Sequence, residues 1–139
     1  MRGGTAMNAD LALQKAIYAR LMGDEALTAL AGGRIHDNVP GDTALPYIAL
    51  GDNDMRDWPG GAEHRLALHV FSRGGGRAEA KAIMGAANAA LHDAALTLEG
   101  HALINLRFLD ATTRRERDGV TWRGTIRFRA VTEEIFDTP

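Results

Sequence analysis

The stretch Leu103–Ala130, LINLRFLDATTRRERDGVTWRGTIRFRA, decides how this chain is read. Ile104, Leu106 and Phe108 alternate with polar neighbours on one side of Arg117-Asp118-Gly119, and Trp122, Ile126 and Phe128 alternate on the other. Period-two patterning on both sides of an Asp-Gly pair reads as a β-hairpin. Register then selects the turn. A two-residue turn at Asp118-Gly119 opposes Phe128 to Leu109 and throws the two apolar rows onto opposite faces. A three-residue loop with Gly119 left-handed opposes Phe128 to Phe108 and Ala130 to Leu106, so that loop is the expectation.

Upstream of this hairpin, Leu96-Thr97-Leu98 and Ala102–Asp110 bracket a second turn at Glu99-Gly100. From Glu79 to Leu91, the residues Ala80, Ile83, Met84, Ala87 and Leu91 fall on one helical stripe, which makes this the principal helix. Gly74-Gly75-Gly76 separates it from a strand over Glu63–Phe71, where Leu66, Leu68 and Val70 alternate with Arg65, Ala67 and His69. Tyr47-Ile48-Ala49-Leu50 reads as a strand with Pro46 at its start, and Arg34–Val39 as a short extended segment. Between the strands, Asp52–Gly61 mixes Asp, Asn, Pro and Gly with Trp58 and reads as a long loop. At the N-terminal side, Leu13, Ile17 and Leu21 recur every four residues over Ala9–Met22. Asp24 then caps a short helix through Leu30 that Gly32-Gly33 ends, giving a helical hairpin.

The expected class is therefore α+β: a largely antiparallel sheet of four to five strands with helices on one face. Residues 1–8 are assigned to a disordered or upstream extension, 9–135 to a single domain and 136–139 to a C-terminal tail. The 139 residues suit one core, and no apolar run approaches a membrane span of about 20 residues. The absence of cysteine removes thiol catalysis, disulfides and Cys-ligated zinc, and makes the cytoplasm the expected compartment. A net charge of −2 offers no global attraction for nucleic acid or anionic lipid.

The chemical motifs are weak. Gly74–Gly76 between Arg73 and Arg77 invites an anion at a helix start, but fits neither nucleotide-binding glycine pattern. Asp52-Asn53-Asp54 with Asp57 and Glu63 lacks the spacing of a calcium loop. The five histidines form no metal-binding pair, and His64 and His69 fall on opposite faces of their strand. Ser72, the sole serine, follows a strand without a nucleophile elbow and reads as an edge or turn residue. No catalytic residue, cofactor or metal site is expected.

More informative is the arginine row of the last hairpin. Arg123, Arg127 and Arg129 share one face of a strand, with Arg107, Arg114 and Arg117 on or beside its neighbour. Such a row either faces water, neutralised by Glu116, Glu133 and Glu134, or meets an acidic surface of another subunit. Asp52, Asp54 and Trp58 mark the Asp52–Gly61 segment as a docking loop, with Trp58 either folded onto the core or reserved for a partner.

Several segments together resemble the tail-terminator, or tail-completion, proteins of long-tailed phages, and particularly the version in alphaproteobacterial gene transfer agents. They are Gly32-Gly33-Arg34-Ile35-His36-Asp37, Pro46-Tyr47-Ile48, Leu68-His69-Val70-Phe71-Ser72-Arg73, Leu96-Thr97-Leu98, Leu106-Arg107-Phe108, Trp122-Arg123-Gly124 and Arg127-Phe128-Arg129-Ala130-Val131. The similarity runs from about Leu11 to Glu134. It implies a non-enzymatic α+β subunit assembled in the cytoplasm into a ring, commonly of six copies, that ends in the particle. The implied partners are further copies of itself, the tail tube protein and the head-tail connector or stopper, with DNA only as passing cargo. Another connector ring, a stopper or neck protein, is the related alternative. A small cytoplasmic anion- or nucleotide-binding domain built on the Gly74–Arg77 turn is the alternative from a different class.

Overall fold

A computed structural model describes residues 2–135, with side chains described from 8 to 135; Met1 and the 136–139 tail lie outside the described residues. The order is α1 (Arg2–Met22), α2 (Glu25–Ala31), β1 (Ile35–His36), β2 (Tyr47–Trp58), β3 (Gly61–Ser72), α3 (Gly76–Leu91), β4 (Thr97–Leu98), β5 (His101–Arg115) and β6 (Trp122–Glu134). The six strands form one sheet in the order β1-β2-β3-β6-β5-β4. Every pairing is antiparallel except β1 with β2. The α+β class stands, but the sheet has six strands where the expectation is four to five, because the two-residue strands β1 and β4 add to the four long ones at its margins.

The helices cover one face. The expected stripes are the buried ones: Leu13, Ile17 and Leu21 on α1, and Ala80, Ile83, Met84, Ala87 and Leu91 on α3. They meet Ile48, Leu68, Val70, Leu106, Ile126, Phe128 and Ala130 from the sheet. α1 begins at Arg2, ahead of the Ala9 at which the apolar spacing starts. Asp24 caps α2 by accepting from Leu27 N–H at 3.0 Å, and Gly32 ends it at φ 62°. One polar pillar crosses the core. The fully buried His64 lies 2.8 Å from Asp10 of α1 through Nδ1 and 2.9 Å from the Thr132 hydroxyl through Nε2. A carboxylate only accepts, so Nδ1 carries the proton, and His64 in turn holds the Asp10 carboxyl below its ordinary 3.8.

Two expectations change. The Asp52–Gly61 segment is not a loop: it belongs to a long hairpin in which Trp58 opposes Gly61 across Pro59-Gly60, with Gly60 at φ 84°. Proline followed by a left-handed glycine is the residue pair of a type II turn. Apolar alternation is missing because both faces of this arm are polar, apart from Met55 and Trp58. The last hairpin has a four-residue loop, Arg117–Val120, closed by Glu116 N–H donating to Thr121 C=O at 2.7 Å. That loop sets the register rejected above, and an extra residue at Leu109 corrects it, so that Phe108 opposes Phe128 and Leu106 opposes Ala130 as expected. The bulge turns Leu109 outward, where it is exposed.

Candidate functional site

The face of the sheet opposite the helices carries the predicted site residues. On β6, Arg123, Arg127 and Arg129 share it; across the ladder stand Arg107 opposite Arg129 and Arg114 opposite Arg123 on β5. On the other side Arg65 of β3 also opposes Arg129. Directly opposed like charges are unfavourable, and the fold relieves them with acids from the sheet and from its connections. Arg129 grips Glu63 at 2.6 Å, Arg127 meets Asp110 at 3.0 Å, Arg123 meets Glu116 at 3.5 Å and Arg107 meets Asp93 at 3.5 Å. Glu116 is the one acid of the three expected that does this. Glu133 and Glu134 have no ion pair with the row among the described residues.

Glu63 is the hub of this face. Arg129 and Arg56 donate to its two carboxyl oxygens, each at 2.8 Å, and only 4% of it is exposed. The hydrogen bond from Arg129, followed by that from Arg56, keeps its carboxyl below the ordinary carboxylate range. Trp58 is 39% exposed, with the Arg129 guanidinium 5.6 Å from its ring centre. It therefore lies at the surface and contributes nothing to the core between sheet and helices. Glu63 escaped recognition from sequence, yet the signal was present: a two-residue Pro59-Gly60 turn pairs 58 with 61 and so Arg56 with Glu63.

At the opposite end, Trp122 lies between Arg77 and Arg115, whose guanidinium carbons stand 4.4 and 5.0 Å from its ring centre. The adjoining loop is tied by Asp118, which accepts from Val120 N–H, Thr121 N–H and the Thr121 hydroxyl, while Arg73 donates to Thr121 Oγ1. Arg114 and Arg117 project from this end with no ion pair among the described residues. Asp52 and Asp54 lie exposed at the far edge of the sheet, likewise without an ion pair among the described residues. The structure thus gives Arg107, Arg123, Arg127 and Arg129 each an acidic partner of its own and leaves Arg114, Arg117, Asp52 and Asp54 at the margins.

The glycine turn is poorly built for an anion. Gly75 precedes α3 with no capping side chain, and Glu79 fills the first turn, its carboxylate accepting from the buried Ser72 hydroxyl. A carboxylate already occupies the place where a phosphate would gain from the helix end. Ser72 closes β3 but is buried, so the expectation of an edge or turn residue holds only for its place in the chain. His64 and His69 do fall on opposite faces. Among the described residues no group of three or more His, Cys, Asp or Glu is placed to hold a metal, and no helix is long and apolar enough to cross a membrane.

Comparison with known proteins gives two findings. Residues 15–133 match the family model described as tail completion protein gp17. Among solved structures, a chain from the virion of a native gene transfer agent (GTA) particle superposes with a TM-score of 0.83 at 36% identity, over 90% of this chain and 97% of that one. No curated protein matches the sequence at a significant level.

Proposed function

The chain belongs to the tail completion protein gp17 family, and from that premise we propose that it is the tail-terminator subunit of a long-tailed phage-like particle. It is a structural phage tail protein. Six copies form a ring that stops growth of the tail tube, presents a surface to the head-tail connector or stopper, and leaves a bore through which DNA passes. Its action is stoichiometric, by occupying the tube end, and involves no bond-making chemistry. After assembly in the cytoplasm the subunit stays in the particle at the head-proximal end of the tail.

The observation that carries this reading is the likeness to a chain of an assembled gene transfer agent virion over nearly the whole of both chains. At 36% identity with a TM-score of 0.83, the shared build includes the sheet whose charged face is described above. That face supports an assembly role, since arginine and tryptophan at a surface are the residues from which interfaces draw their strongest contacts. Deleting the gene in a producing strain should yield tubes of uncontrolled length and heads without tails, and complementation should restore joined particles. Joined particles with normal tail length in the deletion strain would overturn the terminator role.

A further inference from the structure

The sheet ends in two bare margins of opposite charge. β1 pairs β2 only at Ile48 and Ala49, and among the described residues no backbone hydrogen bond reaches the outer side of β2 from Asp52 to Arg56. On the other margin, the chain after α3 covers β5 as far as Phe108, with Asp93 N–H donating to Leu106 C=O and Phe108 N–H donating to His92 Nδ1. From Asp110 to Arg114 nothing described pairs with it. The first margin bears Asp52 and Asp54 with Arg56; the second bears Asp110 and Arg114, with Arg115, Glu116 and Arg117 beyond. Unpaired edges of this length are a liability unless something covers them.

We propose that these margins cover each other: β2 residues 52–56 of one copy pair antiparallel with β5 residues 110–114 of the next. This rests on the ring reading and names its contact. The occupant is a second copy because one margin complements the other, and a contact between two different surfaces is what generates a ring. The direction is right, since β2 runs parallel to β6, and β6 antiparallel to β5.

Hydrogen-bond parity restricts the register. Ile48 N–H points to the margin; beyond the irregularity at Gly51-Asp52 the pointing residues become Asn53 and Met55. On β5, Leu106 and Phe108 point outward, and beyond the Leu109 bulge Ala111 and Thr113 do. Pairing Asn53 with Thr113 and Met55 with Ala111 sets Asp52 opposite Arg114, Asp54 opposite Thr112 and Arg56 opposite Asp110. Sliding by two residues either way sets Asp54 against Asp110 or Asp52 against Glu116, so only the first register joins opposite charges without opposing like ones. It also extends the internal network from Glu63 through Arg56 to the neighbour's Asp110 and Arg127.

Closure is met as well. In one copy, Asp54 is level with Arg129 and Thr112 with Thr125, so each neighbour steps along the strands by four residues, about 14 Å at ~3.4 Å per residue. Four strand spacings of about 4.8 Å make each copy ~19 Å wide. The ratio corresponds to a strand tilt of roughly 35°, within the 35–45° typical of closed barrels.

The test uses the absence of cysteine. Asp54→Cys with Thr112→Cys places two thiols on strands separated by β3 and β6, three strand spacings across and four residues along, so roughly 20 Å apart within one chain and beyond the reach of a disulfide. Particles carrying both substitutions should, on oxidation, give a ladder of covalent multimers ending at the full ring, while each single variant stays monomeric on a non-reducing gel. In parallel, Asp52→Arg and Arg114→Asp should each cut particle titre by about tenfold or more, and together restore it. A ring of this chain seen in particles, with neither cross-linking nor restoration, overturns the pairing alone. Wild-type particles holding no ring of this chain overturn the reading beneath it.

Discussion

Asp118 gathers two backbone N–H groups and one hydroxyl onto its carboxylate, and those bonds, with the Thr121 hydroxyl first, hold its carboxyl down at about 2. A folded-state value below the ordinary 3.8 means that its stabilising contribution is fully present above that pH. It is lost as the pH falls through about 2. Asp118→Ala should therefore melt below wild type at pH 7, with the gap closing as melts are repeated from about pH 4 down toward pH 2; a gap that stays constant refutes the assignment. Trp58 tests a different property. Its ring is exposed and stacked by Arg129, so Trp58→Ala should cost about 1 kcal/mol in denaturant unfolding, the scale of a surface cation–π contact. A loss of about 3 kcal/mol or more would instead mark it as core.

Among elements, the β2–β3 hairpin shows most clearly where sequence reading stops. Its lower half, Tyr47–Leu50 against Leu68–Phe71, was legible because one side packs on helices and the residues alternate accordingly. The upper half of β2 breaks that alternation at an irregularity between Leu50 and Asn53, and Asn53 meets α1 through the Asp10 carboxylate and not through an apolar contact, so Asp52-Asn53-Asp54 reads as a loop although it belongs to the sheet. In the last hairpin, the apolar rows specified the right pairing through the wrong loop, since patterning constrains which residues face each other and not how an odd residue is absorbed. The network around Glu63 was hidden for the same reason, depending as it does on the register of the unrecognised arm. Glycine matters here in one place above all. A Cβ at Gly61 would run into the Thr132 backbone carbonyl, which cannot move without opening the β3–β6 ladder, whereas one at Gly124 meets only the flexible Met84 side chain. Gly61→Ala should thus destabilise by roughly 2–3 kcal/mol, the upper range of overpacking. Gly124→Ala should cost less, and equal losses by chemical denaturation would contradict this.

For the whole molecule, the family was readable from segments scattered over most of the chain, and the arginine row from its own spacing, while the neutralisation of that row by Glu63, Asp93 and Asp110 was not, because those acids come from other elements. The core needs no ligand in this account: apolar stripes on α1 and α3 close over the sheet, and adding EDTA should leave the melting temperature unchanged. A drop of several degrees would reveal a bound metal. In the proposed ring, the two complementary margins also govern how copies count themselves. An arc of n copies holds n − 1 contacts, and the last joint forms between ends already tethered, at a high effective concentration and with no further copy to recruit. Intermediate arcs are therefore disfavoured on both sides, by loss to single copies and by completion. Native mass spectrometry across a concentration series should show two populations, the monomer and the full ring, exchanging weight with almost nothing between them.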